Sequence, residues 1–260
     1  MENILRKIIE KKRERIINYK KKFSLSNLLE SIKKTTNFVN FTSKLKNRTN
    51  EKKISIIAEI KKASPSAGLL VENFDPLNIA KVYIENKASF LSVLTEEDFF
   101  LGSIETIKKI KSEYKIPVLC KDFFIDTYQV ALAKNFGADC ILIILSGVDK
   151  ILAKDIYQAS NDLNISTLVE VHTEKEAELA LSFEKSIIGI NNRNLKTLEV
   201  SLNTSLKLSK ILKDHQNPLV CESGINSQEE IKFIVENSKI YNFLIGESLL
   251  TSQNIGSKLK

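Results

Sequence analysis

Cysteine, histidine and long apolar runs are all scarce in this chain of 260 residues, and each scarcity removes a class of protein. Three cysteines, Cys120, Cys140 and Cys221, lie far apart in or beside apolar segments, with no Cys-x-x-Cys pair. That argues against a disulfide framework and a zinc site, and leaves them as small buried hydrophobes. Only two histidines, His172 and His215, are present, too few for a His-rich metal centre, so no metal is expected. No apolar run reaches the roughly 18–20 residues of a membrane span. The start of the chain, MENILRKIIEKKRERIINYKKK, intersperses charge with apolar residues and lacks the hydrophobic block of a signal peptide. The expectation is a cytoplasmic protein with no membrane partner.

Charge is present in quantity and unevenly spread. Residues 1–53 hold 16 Lys and Arg against 5 Asp and Glu, a surplus of +11, while the remaining 207 residues carry 23 against 27. A basic arm can bind nucleic acid. This one has few aromatics, no nucleic-acid motif, and charges that are mainly lysine, so a solvated helical face is the favoured reading. Contact with an anionic small molecule ranks second and nucleic acid last.

Beyond residue 53 the chain repeats one plan: a short apolar run, a polar loop, an amphipathic helical pattern. The runs cover residues 54–60, 90–95, 116–123, 139–145, 166–171, 186–191, 218–223 and 242–248. They are unbroken rather than alternating, as expected of parallel strands covered on their outer face. Helical patterns between them include 75–88, 102–114 and 126–138. Asp75-Pro76 reads as an N-cap with a first-turn proline, Asp126 and Gly102-Ser103 as similar starts, and Gly137 as a helix stop. Pro117 and Pro218 fall at strand beginnings, where proline is tolerated. Eight βα units predict a (β/α)8 TIM barrel over 54–260. A doubly wound open sheet is disfavoured, because the first turn, KKASPSAG, carries neither GxGxxG nor GxxxxGK[ST]. Residues 1–53 form a basic extension of two or so helices, packed on the barrel because no proline or glycine separates them.

Barrel chemistry sits at the C-terminal ends of the strands. The first run ends in Glu59, Lys61 and Ser64, the third in Lys121 and Asp122, the fifth in Glu170 and His172, and the sixth in Asn191, Asn192 and Arg193. The seventh supplies Glu222, Ser223 and Gly224, and the eighth Gly246, Glu247 and Ser248. Charges converging there must pair with each other or with substrate. One reading is an ion-pair network closing the barrel top; the favoured one is a site. Gly224 and Gly246 lie where barrels commonly hold a phosphate. The residues alone thus point to acid–base chemistry on a small phosphorylated substrate, with no cofactor motif.

The segments AEIKKASPSAG, LSVLTEEDFFLGS, PVLCKDFFIDTYQV, GADCILII, LVEVHTEKE, IIGINNRNLKTLEV, ESGINS and FLIGESLL, taken together and in order, closely resemble the indole-3-glycerol phosphate synthase family. Another phosphate-binding barrel, such as a phosphoribosylanthranilate isomerase, would lack the combined Glu-x-Lys, Lys-Asp-Phe and Asn-Arg-Asn set. The resemblance implies closure of 1-(2-carboxyphenylamino)-1-deoxyribulose 5-phosphate to indole-3-glycerol phosphate with loss of CO2 and water, without a cofactor. It implies Lys121 as general acid in ring closure and Glu170 as the acid–base group of the dehydration. Lys61 would contact the substrate's carboxylate or phosphate and share in proton transfer. Glu59 would orient the lysines, and Asn191 would position substrate hydroxyls or Glu170. Ser64, Arg193, Glu222, Ser223, Gly224, Gly246 and Glu247 would line the phosphate and hydroxyl end, with Phe99 and Phe123 near the aromatic ring. Which of Lys61 and Lys121 gives the first proton stays open. A useful lysine acid calls for a pKa lowered by burial or a second cation. Cys120, Leu101 and Ala67 depart from the family's usual residues without removing any of these acids and bases. His172 is expected to be structural, at the barrel rim, and the chain to be a monomer.

Overall fold

A computed structural model of the chain describes residues 4–34, 38–195 and 197–250. The eight apolar runs become eight strands: β1 Ser55–Ile60, β2 Phe90–Leu94, β3 Val118–Lys121, β4 Cys140–Ile144, β5 Ser166–Val171, β6 Ile187–Asn191, β7 Leu219–Glu222 and β8 Asn242–Ile245. Each pairs in parallel with its sequence neighbour, and β1 pairs with β8 through Ser55–Asn242 and Ala58–Ile245, which closes the barrel. Their near-complete burial explains the unbroken apolar runs, since one face fills the barrel and the other meets the helical shell. Apart from β5, which spans its whole run, the strands are shorter than the runs, whose ends turn into loops. Pro117 and Pro218 immediately precede β3 and β7, where their carbonyls accept from Leu91 N (3.0 Å) and Ile188 N (3.2 Å).

The connecting helices follow their caps. Asp75 accepts from Leu77 N and Asn78 N ahead of Pro76–Glu85. Asp126 accepts from Tyr128 N at the start of Tyr128–Asn135, and Gly137 beyond its end has φ +96°. Ser103 accepts from Glu105 N where Glu105–Glu113 begins.

The extension holds three helices rather than two: α1 Ile4–Lys22, α2 Leu25–Lys34 and α3 Phe41–Asn50. Helix α3 lies under the N-terminal ends of the strands. Phe41 packs on Phe90 in a tilted pair with centroids 4.5 Å apart, Thr42 N donates to Ser166 Oγ, and Arg48 bonds Ser55 Oγ and the Ile54 carbonyl. Helix α1 lies at the opposite end. There Lys12 inserts between Glu97 (2.7 Å) and Asp122 (2.9 Å), Arg15 pairs with Asp98 and Lys20 with Asp126. The basic arm is therefore not simply a solvated face, because the loops after β2 and β3 answer part of its charge.

Candidate active site

The C-terminal ends of the strands open into a cavity of about 620 Å³. Every residue singled out above for catalysis or binding lines it except Phe99. The Glu96 carboxylate accepts from the N–H groups of Asp98, Phe99 and Phe100, curling the loop after β2 so that Phe100 faces the cavity instead. Phe100 and Phe123 then form a tilted aromatic pair, centroids 6.1 Å apart. The cavity is open above its charged groups, so the ion pairs do not simply seal the barrel.

Lys121, the last residue of β3, donates to Glu170 Oε2 at 3.1 Å and to Glu222 Oε2, and its side chain is 13% exposed. Nearer the rim Lys61 pairs with Glu59 at 2.7 Å. The space a Cβ would need at Gly246 holds Glu59 Oε1, 2.5 Å away, and that at Gly224 holds Val200 Cγ1 at 2.4 Å. These two glycines thus make room for the cavity's own walls. Asn191 ties three strand ends together: its amide donates to Glu170 Oε1 at 3.1 Å, while its Oδ1 accepts from Ser223 Oγ at 2.8 Å and Arg193 N at 3.0 Å. Arg193 reaches Glu247 at 3.5 Å, linking the loops after β6 and β8. Ser64 accepts from Ala67 N at the start of a small two-stranded ribbon, Ala63–Ser64 with Gly68–Leu69.

Burial would push the Lys121 ammonium down, but Glu222, Glu170 and Glu59 outweigh it and hold its pKa well above the ordinary lysine value. This reverses the lowered lysine pKa anticipated from sequence: the neighbours are anions, not a second cation. The two carboxylates around Lys121 separate. Burial would raise Glu170, yet Lys121, His172 and Asn191 hold it well below the carboxylate range. Burial dominates at Glu222, where Glu170 adds repulsion, and its carboxyl is pushed up to about 7. Its Oε1 is buried without a hydrogen-bond partner among the described residues, the position of a group that carries a proton. At neutral pH the two carboxyls therefore differ in protonation, Glu170 ionised and Glu222 near its midpoint.

The sequence pattern did not reveal that α1 supplies Ile4, Leu5 and Ile8 to the cavity wall. Their spacing of three and four is the available signal, but it reads equally as any core-facing helix. Asn192 is buried and structural, donating to the carbonyls of Glu222 and Ser223 and accepting from Ser205.

A closed (β/α)8 barrel whose paired lysines and carboxylates floor an open cavity defines an acid–base barrel enzyme. Solved structures agree at the level of fold: a 3-hexulose-6-phosphate synthase superposes with a TM-score of 0.61 at 12% identity, covering 79% of this chain and 96% of its own. A phosphoribosylanthranilate isomerase from Thermotoga maritima gives 0.56 at 11%, over 79% and 94%. The family model for indole-3-glycerol phosphate synthase matches residues 5–260. A curated indole-3-glycerol phosphate synthase from a Polaromonas species is 41% identical over all of this chain and 97% of its own length; one from Bordetella pertussis is 38% identical over 100% and 98%. The chain belongs to the indole-3-glycerol phosphate synthase family, carboxy-lyases of tryptophan biosynthesis.

Proposed function

We propose that this chain closes 1-(2-carboxyphenylamino)-1-deoxyribulose 5-phosphate to indole-3-glycerol phosphate, with Lys121 as first proton donor and Glu170 as base. The observation that carries this assignment is Lys121 held between one ionised and one protonatable carboxylate on the cavity floor. As the aromatic carbon attacks the carbonyl carbon, a C–C bond forms and the carbonyl oxygen takes a proton from the Lys121 ammonium. The carboxylate on the attacking ring carbon leaves as CO2, its bonding pair restoring aromaticity. Glu222 then returns a proton to Lys121 and is recharged from solvent. In the dehydration Glu170 takes a substrate proton and delivers it to the departing hydroxyl, which leaves as water. Lys61, paired with Glu59 at the rim, receives the substrate's carboxylate. Ser64, Ser223, Gly224 and Gly246 border the phosphate end, and Phe100 with Phe123 the ring.

Residues 1–53 are read as an extension of the 54–260 barrel, contributing Ile4, Leu5 and Ile8 to the site; residues 251–260 lie outside the described part. Among the described residues no helix is long and apolar enough to cross a membrane. A cytoplasmic monomer without cofactor or nucleic-acid partner is the accompanying proposal.

The test is indole fluorescence on the carboxyphenylamino substrate. Lys121→Ala and Glu170→Gln are each expected to lower kcat by about 10²-fold or more, the scale of a lost acid or base. No product from the wild type, or an undiminished rate in either variant, rejects the assignment.

A further inference from the structure

We infer that His172 is a positioning residue: braced by Glu176, its ring holds the Glu170 carboxylate in place for its work as a base. The inference rests on the reading of Glu170 given above.

His172 follows β5 directly, two residues beyond Glu170, and so returns to the same side of the chain. It does not line the cavity; its ring stands behind Glu170, with the side chain 9% exposed. Nε2 lies 3.2 Å from Glu170 Oε1, an ion-pair distance without hydrogen-bond alignment, and Nδ1 lies 3.3 Å from Glu176 Oε2. The same Glu176 oxygen accepts from the His172 backbone N–H at 2.6 Å. Glu176 is itself fixed, because its N–H donates to the N-cap Thr173 at the start of Glu174–Ala180. Helix start, ring and catalytic carboxylate thus form one chain of contacts.

The charged groups facing the ring are both anionic, Glu170 on its own strand and Glu176 on the following helix; Lys121 from β3 reaches Glu170 from the cavity side. Burial would keep the imidazole neutral, but the two carboxylates prevail and its pKa rises to about 9. At neutral pH Glu170 is therefore held between two cations, Lys121 in front and His172 behind. Replacing the imidazolium with a neutral side chain removes one of them, so Glu170 takes up a proton at higher pH.

The chain has only two histidines, so their imidazole C–H signals are assignable in the intact wild-type protein. One is expected to titrate near 9, His172, and the other below 6.5, His215, which burial lowers. Glu176→Gln should pull the higher titration down by about one unit, the low end of an adjacent-charge effect. In kinetics, His172→Gln should lower kcat about tenfold with KM within about twofold, and move the acid limb of kcat up by about one unit. Glu176→Gln should move that limb the same way by less, which decides the matter if His172→Gln does not fold. A wild-type His172 titrating near 6.5, or acid limbs that superpose in both variants, overturns the inference. Glu170→Gln separates the two readings: full activity there removes the base assignment itself. Loss there with wild-type limbs in His172→Gln and Glu176→Gln removes only the role of His172.

Discussion

Gly189 owes its identity to the carboxylate on the neighbouring strand. In β6 it is paired with Glu170 and Val220, and a Cβ built on it would lie 2.0 Å from Glu222 Oε1 and 2.6 Å from Leu168 Cδ2. Glu222 cannot yield freely, since its other oxygen is bound to Lys121. Gly189→Ala is therefore expected to push Glu222 off Lys121 and to overpack the barrel centre, lowering stability by about 1–3 kcal/mol and kcat with it. Denaturant unfolding and the indole assay read the two effects; an alanine variant with wild-type rate would show that Glu222 need not sit there. His172 makes a pH prediction at the same scale. Its folded pKa of about 9 lies above its ordinary 6.5, so the stability it contributes is fully present below pH 6.5 and is lost as pH rises through 9. Urea unfolding at pH 6 and pH 10 should show a loss of about 1–3 kcal/mol from this site, absent in His172→Gln. Equal pH slopes in the two proteins would place the loss elsewhere.

At the scale of elements, the closest dependence is that of the cavity on α1. One turn beyond Ile8, Lys12 is 3% exposed between Glu97 and Asp122, while Tyr19 donates to Glu97 and Thr95 to Asp122. Lys12→Met leaves the buried Asp122 and the half-buried Glu97 without their cation, a loss of up to about 3–5 kcal/mol, the scale for buried pairs. Helix α1 should loosen and carry Ile4, Leu5 and Ile8 from the wall, so that KM rises and proteolysis near residues 22–25 accelerates. Adding Asp122→Asn should recover part of the stability because the two sites share partners; strict additivity would mean that the ion pair does not couple helix and barrel. None of this was legible beforehand, since a lysine among lysines gives no sign of burial. The barrel strands were legible because burial on both faces leaves unbroken apolar runs. The charged residues that line the cavity were visible as charges interrupting those runs at one end. Phe100 in place of Phe99 was not, because the choice depends on Glu96 gathering three backbone N–H groups. Helix α3 was missed although Asn40 caps it and Phe41 and Leu45 form its buried i, i+4 pair: eight polar residues among its ten hid them.

The whole molecule is a basic extension laid on a weakly acidic barrel, and this division governs what its net charge of +7 can do. Three of the arm's cations, Lys12, Arg15 and Lys20, are spent on Glu97, Asp98, Asp122 and Asp126, on the face where α1 meets the barrel. The positive charge left exposed is mostly lysine, scattered along α1 and α2 rather than gathered with aromatics into a groove. A phosphate backbone would meet diffuse attraction only, which salt screens within about 8 Å at physiological ionic strength. Fluorescence anisotropy with a short labelled duplex should therefore show no saturable binding near ~0.15 M salt, and only weak, salt-labile association well below it. Saturable binding at physiological salt, lost on deleting residues 1–53, would give the arm a second role. The same reasoning fixes how salt acts on the fold. Arg15–Asp98 and Lys20–Asp126 are partly exposed, and pairs of that kind contribute about 0–1 kcal/mol each. The Lys12 cluster is largely buried and little screened. Raising salt should thus leave α1 docked and stability nearly flat; a steep fall on adding salt would mean that surface attraction, not the buried lysine, holds the extension to the barrel.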